Sequence, residues 1–212
     1  MHDFKYVTKN EAKPQKDEIY QILYEVQDLV RENFTFSFTP VGSSSRNMIT
    51  YDTKSNIGYD FDFNIEPNDN NEKFSPKGIR TILRNAIDRV APRYGYNWCE
   101  DSTRVLTIKK VNRFTSSVIH SCDFAIVYNC NDGRQQYIRF NKANNSYLWE
   151  YQGKGFENLD KKINWLKKNK LWSELRNYYL VKKNENSNFD KHSRSILAES
   201  INEMCKKNGY RD

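Results

Sequence analysis

The stretch Gly58-Tyr-Asp-Phe-Asp-Phe-Asn-Ile65 constrains the chain more than any other. Tyr59, Phe61, Phe63 and Ile65 alternate with Asp60, Asp62 and Asn64. That period of two sends the aromatic residues into a core and both carboxylates onto the opposite face of one strand. Aspartate is a poor strand former, and two like charges ~7 Å apart on a sheet surface repel each other. The pattern therefore costs stability unless water or a cation compensates, and a divalent ion offsets both costs. By itself a D-x-D pair also fits the wet face of an edge strand, so its meaning depends on what the rest of the chain supplies.

Two features supply it. Upstream, Phe34, Phe36 and Phe38 mark one side of a strand that ends abruptly at Gly42-Ser43-Ser44-Ser45. Backbone N–H groups and serine hydroxyls after a strand form a concavity suited to an anion, although the same composition also makes an ordinary turn. Downstream, Asp123 is a lone carboxylate beside Ala125, Ile126 and Val127 on what reads as an interior strand. A buried, unpaired charge is expensive, and a metal shared with Asp60 and Asp62 would partner it.

Around these residues the chain alternates helix and strand. Ile19, Ile22, Leu23, Val26, Leu29 and Val30 recur at three and four positions, the stripe of a core helix over Pro14–Asn33. Ser75-Pro76 is a cap followed by a proline at the first helical position. From there Ile79, Ile82, Leu83, Ala86, Ile87 and Val90 define one face, and Lys77, Arg80, Arg84 and Arg89 are expected on the other. Strands are expected at STRVLTIKKV and SSVIHSCDFAIVY, then a hairpin from QQYIRF and SYLWEY. From Leu159 the pattern is helical, with Gly209 as a stop. The expected fold class is α/β in the broad α+β sense: a mixed, mostly antiparallel sheet with flanking helices and a helical C-terminal region. Residues 1-150 are expected to form the core, and residues 151-212 a helical region packed on it.

With 212 residues the chain can close one substantial core. Its formal charge of +7 makes an anionic partner plausible without naming it. No run approaches the ~20 apolar residues of a membrane span, so no membrane partner is expected. The four cysteines show no CxxC pairing, and reduced thiols in a cytoplasmic protein are expected. His120 and His192 lack zinc-site spacing, and Gly153-Lys154-Gly155 is too short for a phosphate loop. In KKINWLKKNKLWSELRNYYLVKK, lysines alternate with Trp165, Trp172, Tyr178 and Tyr179; this reads as core aromatics beside a solvated cationic face rather than a base-stacking platform.

Together the Gly42-Ser43 turn, the Asp60-x-Asp62 strand and Asp123 on a later strand resemble the nucleotidyltransferase superfamily that includes DNA polymerase beta. GSSSR followed by GYDFDF is more similar to its bacterial cyclic-oligonucleotide and oligoadenylate synthase-like branch. Eighteen positions separate Gly42 from Asp60, longer than in compact members, and RNMITY departs from that branch's arginine-glycine-threonine run. The resemblance implies that Gly42, Ser43 and Ser44 bind the nucleotide, and that Asp60, Asp62 and Asp123 are the catalytic metal ligands. It implies Mg²⁺, with Mn²⁺ as a substitute. The activity implied is transfer of a nucleoside monophosphate from an NTP to a hydroxyl acceptor, which is a nucleotide, RNA, protein or small molecule, with release of pyrophosphate. The alternative is an inactive nucleotide- or RNA-binding regulator of the same fold. A metal-free nucleic-acid-binding domain ranks last, because paired aspartates would oppose the phosphates it binds.

Overall fold

The computed structural model describes residues 2–69, 71–152, 158–188, 191 and 193–211. His192 and the Gly153-Lys154-Gly155 segment lie outside them. The chain divides into two compact units, Tyr6–Tyr51 with Ser55–Gln152, and Met1–Lys5 with Asp52–Lys54 and Gly153–Asp212.

In chain order the elements are β1 (Phe4–Tyr6), α1 (Lys9–Val30), β2 (Thr35–Val41), β3 (Thr50–Asp52), β4 (Tyr59–Asn68), α2 (Pro76–Val90), β5 (Glu100–Asp101), β6 (Val105–Asn112), β7 (Ser117–Asn129), β8 (Gln135–Asn141), β9 (Ser146–Tyr151), α3 (Leu159–Lys168), α4 (Trp172–Glu185) and α5 (Ser193–Lys207). The larger unit is built on a sheet ordered β2-β4-β7-β6-β5, with β8 added to the far end of β7 and β9 to β8. The β4–β7 pair is parallel, and the other pairs are antiparallel. This is the mixed, mostly antiparallel α+β arrangement expected.

Why the sheet has one dry face follows from β4. Phe61, Phe63 and Ile65 are fully buried, whereas Asp60 is exposed and Asp62 and Asn64 are half-buried. Across the inward rows stand Cys122, Phe124 and Ile126 of β7 and Leu106 and Ile108 of β6. Ile19, Ile22, Leu23 and Val26 of α1, with Ile79, Leu83 and Ile87 of α2, complete this core. Each such side chain taken out of water contributes roughly 1.5–3 kcal/mol, so period-two strands and 3.6-period helices reinforce one solution.

Helix α1 starts earlier than its apolar stripe. Thr8 accepts from the Glu11 N–H at 3.2 Å while the Glu11 carboxylate accepts from the Thr8 N–H at 2.7 Å, a reciprocal cap that extends the helix to Lys9 and carries it through Pro14. Helix α2 begins as expected, with Ser75 Oγ accepting from the Gly78 N–H.

One expectation for α2 is corrected. Arg80 is 1% exposed and does not join a solvated cationic face. Its guanidinium bonds Asp101 Oδ1 and donates to the carbonyls of Ile138, Ser102 and Val105. A charge removed from water needs this many acceptors.

In the smaller unit, Leu166, Leu175, Tyr179, Ile196, Ile201 and Met204 are buried from α3, α4 and α5. Lys182 bridges Glu199 and Glu203, and Gly209 ends the chain's last helix with φ +78°. Of the paired aromatics in this stretch, Tyr179 is buried, Tyr178 is exposed, and Trp165 packs edge-on against Tyr210. Among the described residues no helix is long and apolar enough to cross a membrane.

Candidate active site

The outward face of the sheet brings the three acids together. Parallel pairing of β4 with β7 sets Asp62 beside Asp123 and Asp60 beside Ser121. Antiparallel pairing of β6 with β7 then sets Thr107 beside Asp123 and Lys109 beside Ser121, while β2 sets Val41 beside Asp62. Neighbouring strands are roughly 4.8 Å apart, so one row across the sheet reads Val41, Asp62, Asp123, Thr107. The sequence distance of 61 positions between the two central acids disappears in this pairing.

Each outer acid has a hydroxyl from its cross-strand neighbour. Thr107 Oγ1 donates to Asp123 Oδ1 at 2.6 Å, and Ser121 Oγ donates to Asp60 Oδ1. Burial raises the Asp123 pKa above the ordinary carboxylate value; the Thr107 bond acts against that, and the charge of Asp60 adds to it. A second group registers the same field. Burial pushes the Cys122 thiol far up, and Asp123, Asp62 and Asp60 all push it further.

The turn after β2 reaches this row directly. Gly42 has φ +63°, and a Cβ built there would lie 2.5 Å from Asp62 Oδ2. Glycine is required on both counts, because the left-handed backbone disfavours a side chain and the carboxylate occupies its space. The turn closes on itself: Ser44 Oγ donates to the Val41 carbonyl at 2.9 Å, Ser45 Oγ to the Gly42 carbonyl at 3.0 Å, and Arg46 Nη1 to the same Gly42 carbonyl at 2.9 Å. Ser44 is buried and its hydroxyl braces the turn, whereas the Ser43 side chain makes no capping bond. The long interval between Gly42 and Asp60 does not separate the turn from the acids. It carries a 3₁₀ turn at Ser44–Arg46 and strand β3. The register then returns Asp62 opposite Val41.

Among the described residues no three His, Cys, Asp or Glu side chains already stand together as a metal-ligand cluster. The donor set nevertheless fits a hard divalent ion: it consists of carboxylate oxygens supported by hydroxyls. A cation there would also relieve the repulsion that raises Asp123. His120 contributes nothing to this set. It is buried on the inner face, with Nε2 2.7 Å from the Tyr96 hydroxyl.

Thr107 and Ser121 are the site residues that the sequence reading missed. A signal was present, because Thr107 and Lys109 alternate with Leu106 and Ile108 just as Ser121 and Asp123 alternate with Cys122 and Phe124. Which hydroxyl meets which acid depended on register.

The larger unit is a mixed, mostly antiparallel α+β core that carries Asp62 and Asp123 side by side on its outward face. No protein-family model matches the chain, and no curated protein matches it. Solved structures do. The chain superimposes on the Vibrio cholerae DncV cyclic AMP-GMP synthase in complex with nonhydrolysable GTP with a TM-score of 0.67, at 11% identity, over 93% of this chain and 67% of that one. For the STING-associated CdnE c-di-GMP synthase from Capnocytophaga granulosa the TM-score is 0.60, at 15% identity, over 98% and 64%. For E. coli MS115-1 CdnC with ATP it is 0.51, at 14% identity, over 93% and 62%. The structural neighbours are bacterial cyclic-oligonucleotide synthases of the nucleotidyltransferase superfamily, and the chain spans about two thirds of their length. At these identities the likeness establishes the fold.

Proposed function

We propose that this chain is a Mg²⁺-dependent nucleotidyltransferase that moves a nucleoside monophosphate from an NTP to a hydroxyl acceptor, releasing pyrophosphate. The observation that carries this reading is the juxtaposition of Asp62, Asp123 and the Gly42 turn in one outward row, with Asp60 one row away. Fold neighbours bound to GTP and ATP support it. In this reading Gly42, Ser43 and Ser44 form the turn that receives the phosphates: Gly42 lets the backbone approach, and Ser44 keeps the turn's shape through Val41. Asp60 and Asp62 hold metal, and Asp123, the more enclosed acid, completes the ligand set on the acceptor side. Bound divalent ions would lower the pKa of the acceptor hydroxyl and neutralise charge on the triphosphate. Mn²⁺ is expected to substitute for Mg²⁺. The acceptor is a nucleotide, RNA, protein or small molecule.

Isothermal calorimetry of each of the four NTPs with Mg²⁺ tests this, comparing the native chain with an Asp60→Asn, Asp62→Asn double variant. Metal-dependent binding by the native chain alone supports the site, and pyrophosphate release then identifies the acceptor. Equal binding by both proteins, or by neither, refutes it. A second reading, a binding protein without turnover, is favoured by one observation: among the described residues no three acids stand together as a ligand cluster. Native binding without pyrophosphate release across acceptor classes would select it.

A further inference from the structure

Thr107 of β6 bonds an acid of the row, and its placement asks for a reason. It is 9% exposed, and a valine of the same shape would suit a strand interior at least as well. A buried hydroxyl costs free energy unless it is hydrogen-bonded. Here it donates to Asp123 Oδ1 at 2.6 Å, from the position directly across the β6–β7 pair. The branched Cβ restricts the Thr107 rotamer, so the donor direction is set by the backbone. The bond takes one acceptor site of Oδ1 and fixes the carboxylate's orientation, while Oδ2 accepts no bond from Thr107. The same construction recurs one row away, where Ser121 donates to Asp60 from the directly opposite position.

We infer that Thr107 is a positioning residue that holds Asp123 in a single orientation for a divalent ion. The inference rests on the reading above and adds to it a residue that acts through Asp123. Hydrogen-bond partners of metal-ligating carboxylates are typically worth 10–100-fold in metal affinity or activity.

The test is Mn²⁺ binding in the presence of a nonhydrolysable GTP or ATP analogue, read from the electron paramagnetic resonance signal of the free ion. Native protein, Thr107→Val, Thr107→Ser and Asp123→Asn are compared, with thermal unfolding in chelator as the check on folding. Thr107→Val is expected to weaken Mn²⁺ binding about 10–100-fold, and Thr107→Ser, which keeps the hydroxyl, to restore most of it. In turnover the valine variant is expected to lose kcat with little change in KM for the NTP. Should valine not be accommodated, Thr107→Ala removes the hydroxyl without adding bulk and gives the same comparison. Native affinity in Thr107→Val alongside lost affinity in Asp123→Asn overturns the positioning role and leaves the proposed function standing. No Mn²⁺ binding by the native chain, or equal binding by native and Asp123→Asn, overturns both.

Discussion

Gly42 and Asp62 occupy the same space: a Cβ on the glycine would fall 2.5 Å from Oδ2 of the aspartate. The Gly42 turn and the D-x-D strand are thereby packed together, although eighteen positions separate Gly42 from Asp60. Gly42→Ala should lose about 1–2 kcal/mol of stability from the φ +63° backbone, and should lose metal-dependent NTP binding because Asp62 must move. Urea unfolding and calorimetry check the two effects separately; unchanged NTP affinity would show that Asp62 and the turn act independently.

Removing a like charge should stabilise the metal-free protein. Burial is the main cause that raises the Asp123 pKa and the charge of Asp60 adds to it, so Asp60→Asn is expected to be slightly more stable in chelator. In Mg²⁺ with NTP the order should reverse, because the native chain alone gains stability from ligand binding. Thermal unfolding of both proteins, with and without Mg²⁺ and NTP, measures this; a stabilisation equal in both would mean that Asp60 is not a metal ligand.

His120 predicts an acid-side loss of stability. Burial pushes its pKa down from 6.5 to about 4, and the nearby Lys110 adds to the effect. Among the described residues its Nδ1 has no hydrogen-bond partner, so an imidazolium would carry one unpartnered proton. The folded state favours neutral histidine while the unfolded state binds a proton below about 6.5. Stability is therefore full above that pH and falls as pH drops toward 4, by about 3 kcal/mol. His120→Gln should flatten that part of the profile in urea unfolding between pH 7.5 and 4.5, and an unchanged slope would assign it elsewhere.

Arg80 should be intolerant of conservative change. Arg80→Met removes one donor from Asp101 and from each of three carbonyls, and the expected cost is about 3–5 kcal/mol. Arg80→Lys should recover only part, since an ammonium does not reproduce the planar fork. Chemical denaturation of both variants tests this, with full recovery by lysine as the contrary result.

Much of this molecule was written along the chain, because periodicity is a local property. Alternation in β4 placed Phe61, Phe63 and Ile65 inward and Asp60 and Asp62 outward, and the three- and four-residue spacing of Ile19 to Val30 and of Ile79 to Val90 defined the two core helices. The Thr8–Glu11 cap was equally legible, as T-x-x-E, but lay ahead of the apolar stripe that drew attention. Arg80 was misplaced because a helical repeat tells which side a residue takes, not whether acceptors wait there.

What only the tertiary structure decided is register. No local pattern states that Asp62 pairs with Asp123 in parallel, that Thr107 stands opposite Asp123, or that the chain between Gly42 and Asp60 returns the turn to the acids. Those relations join residues 16 to 61 positions apart, and a slip of one residue in either strand pair would have turned the acid to the opposite face. The residue types and their alternation were thus determined by the sequence alone. Their assembly into one row was decided by how the strands align when both helices bury the same core.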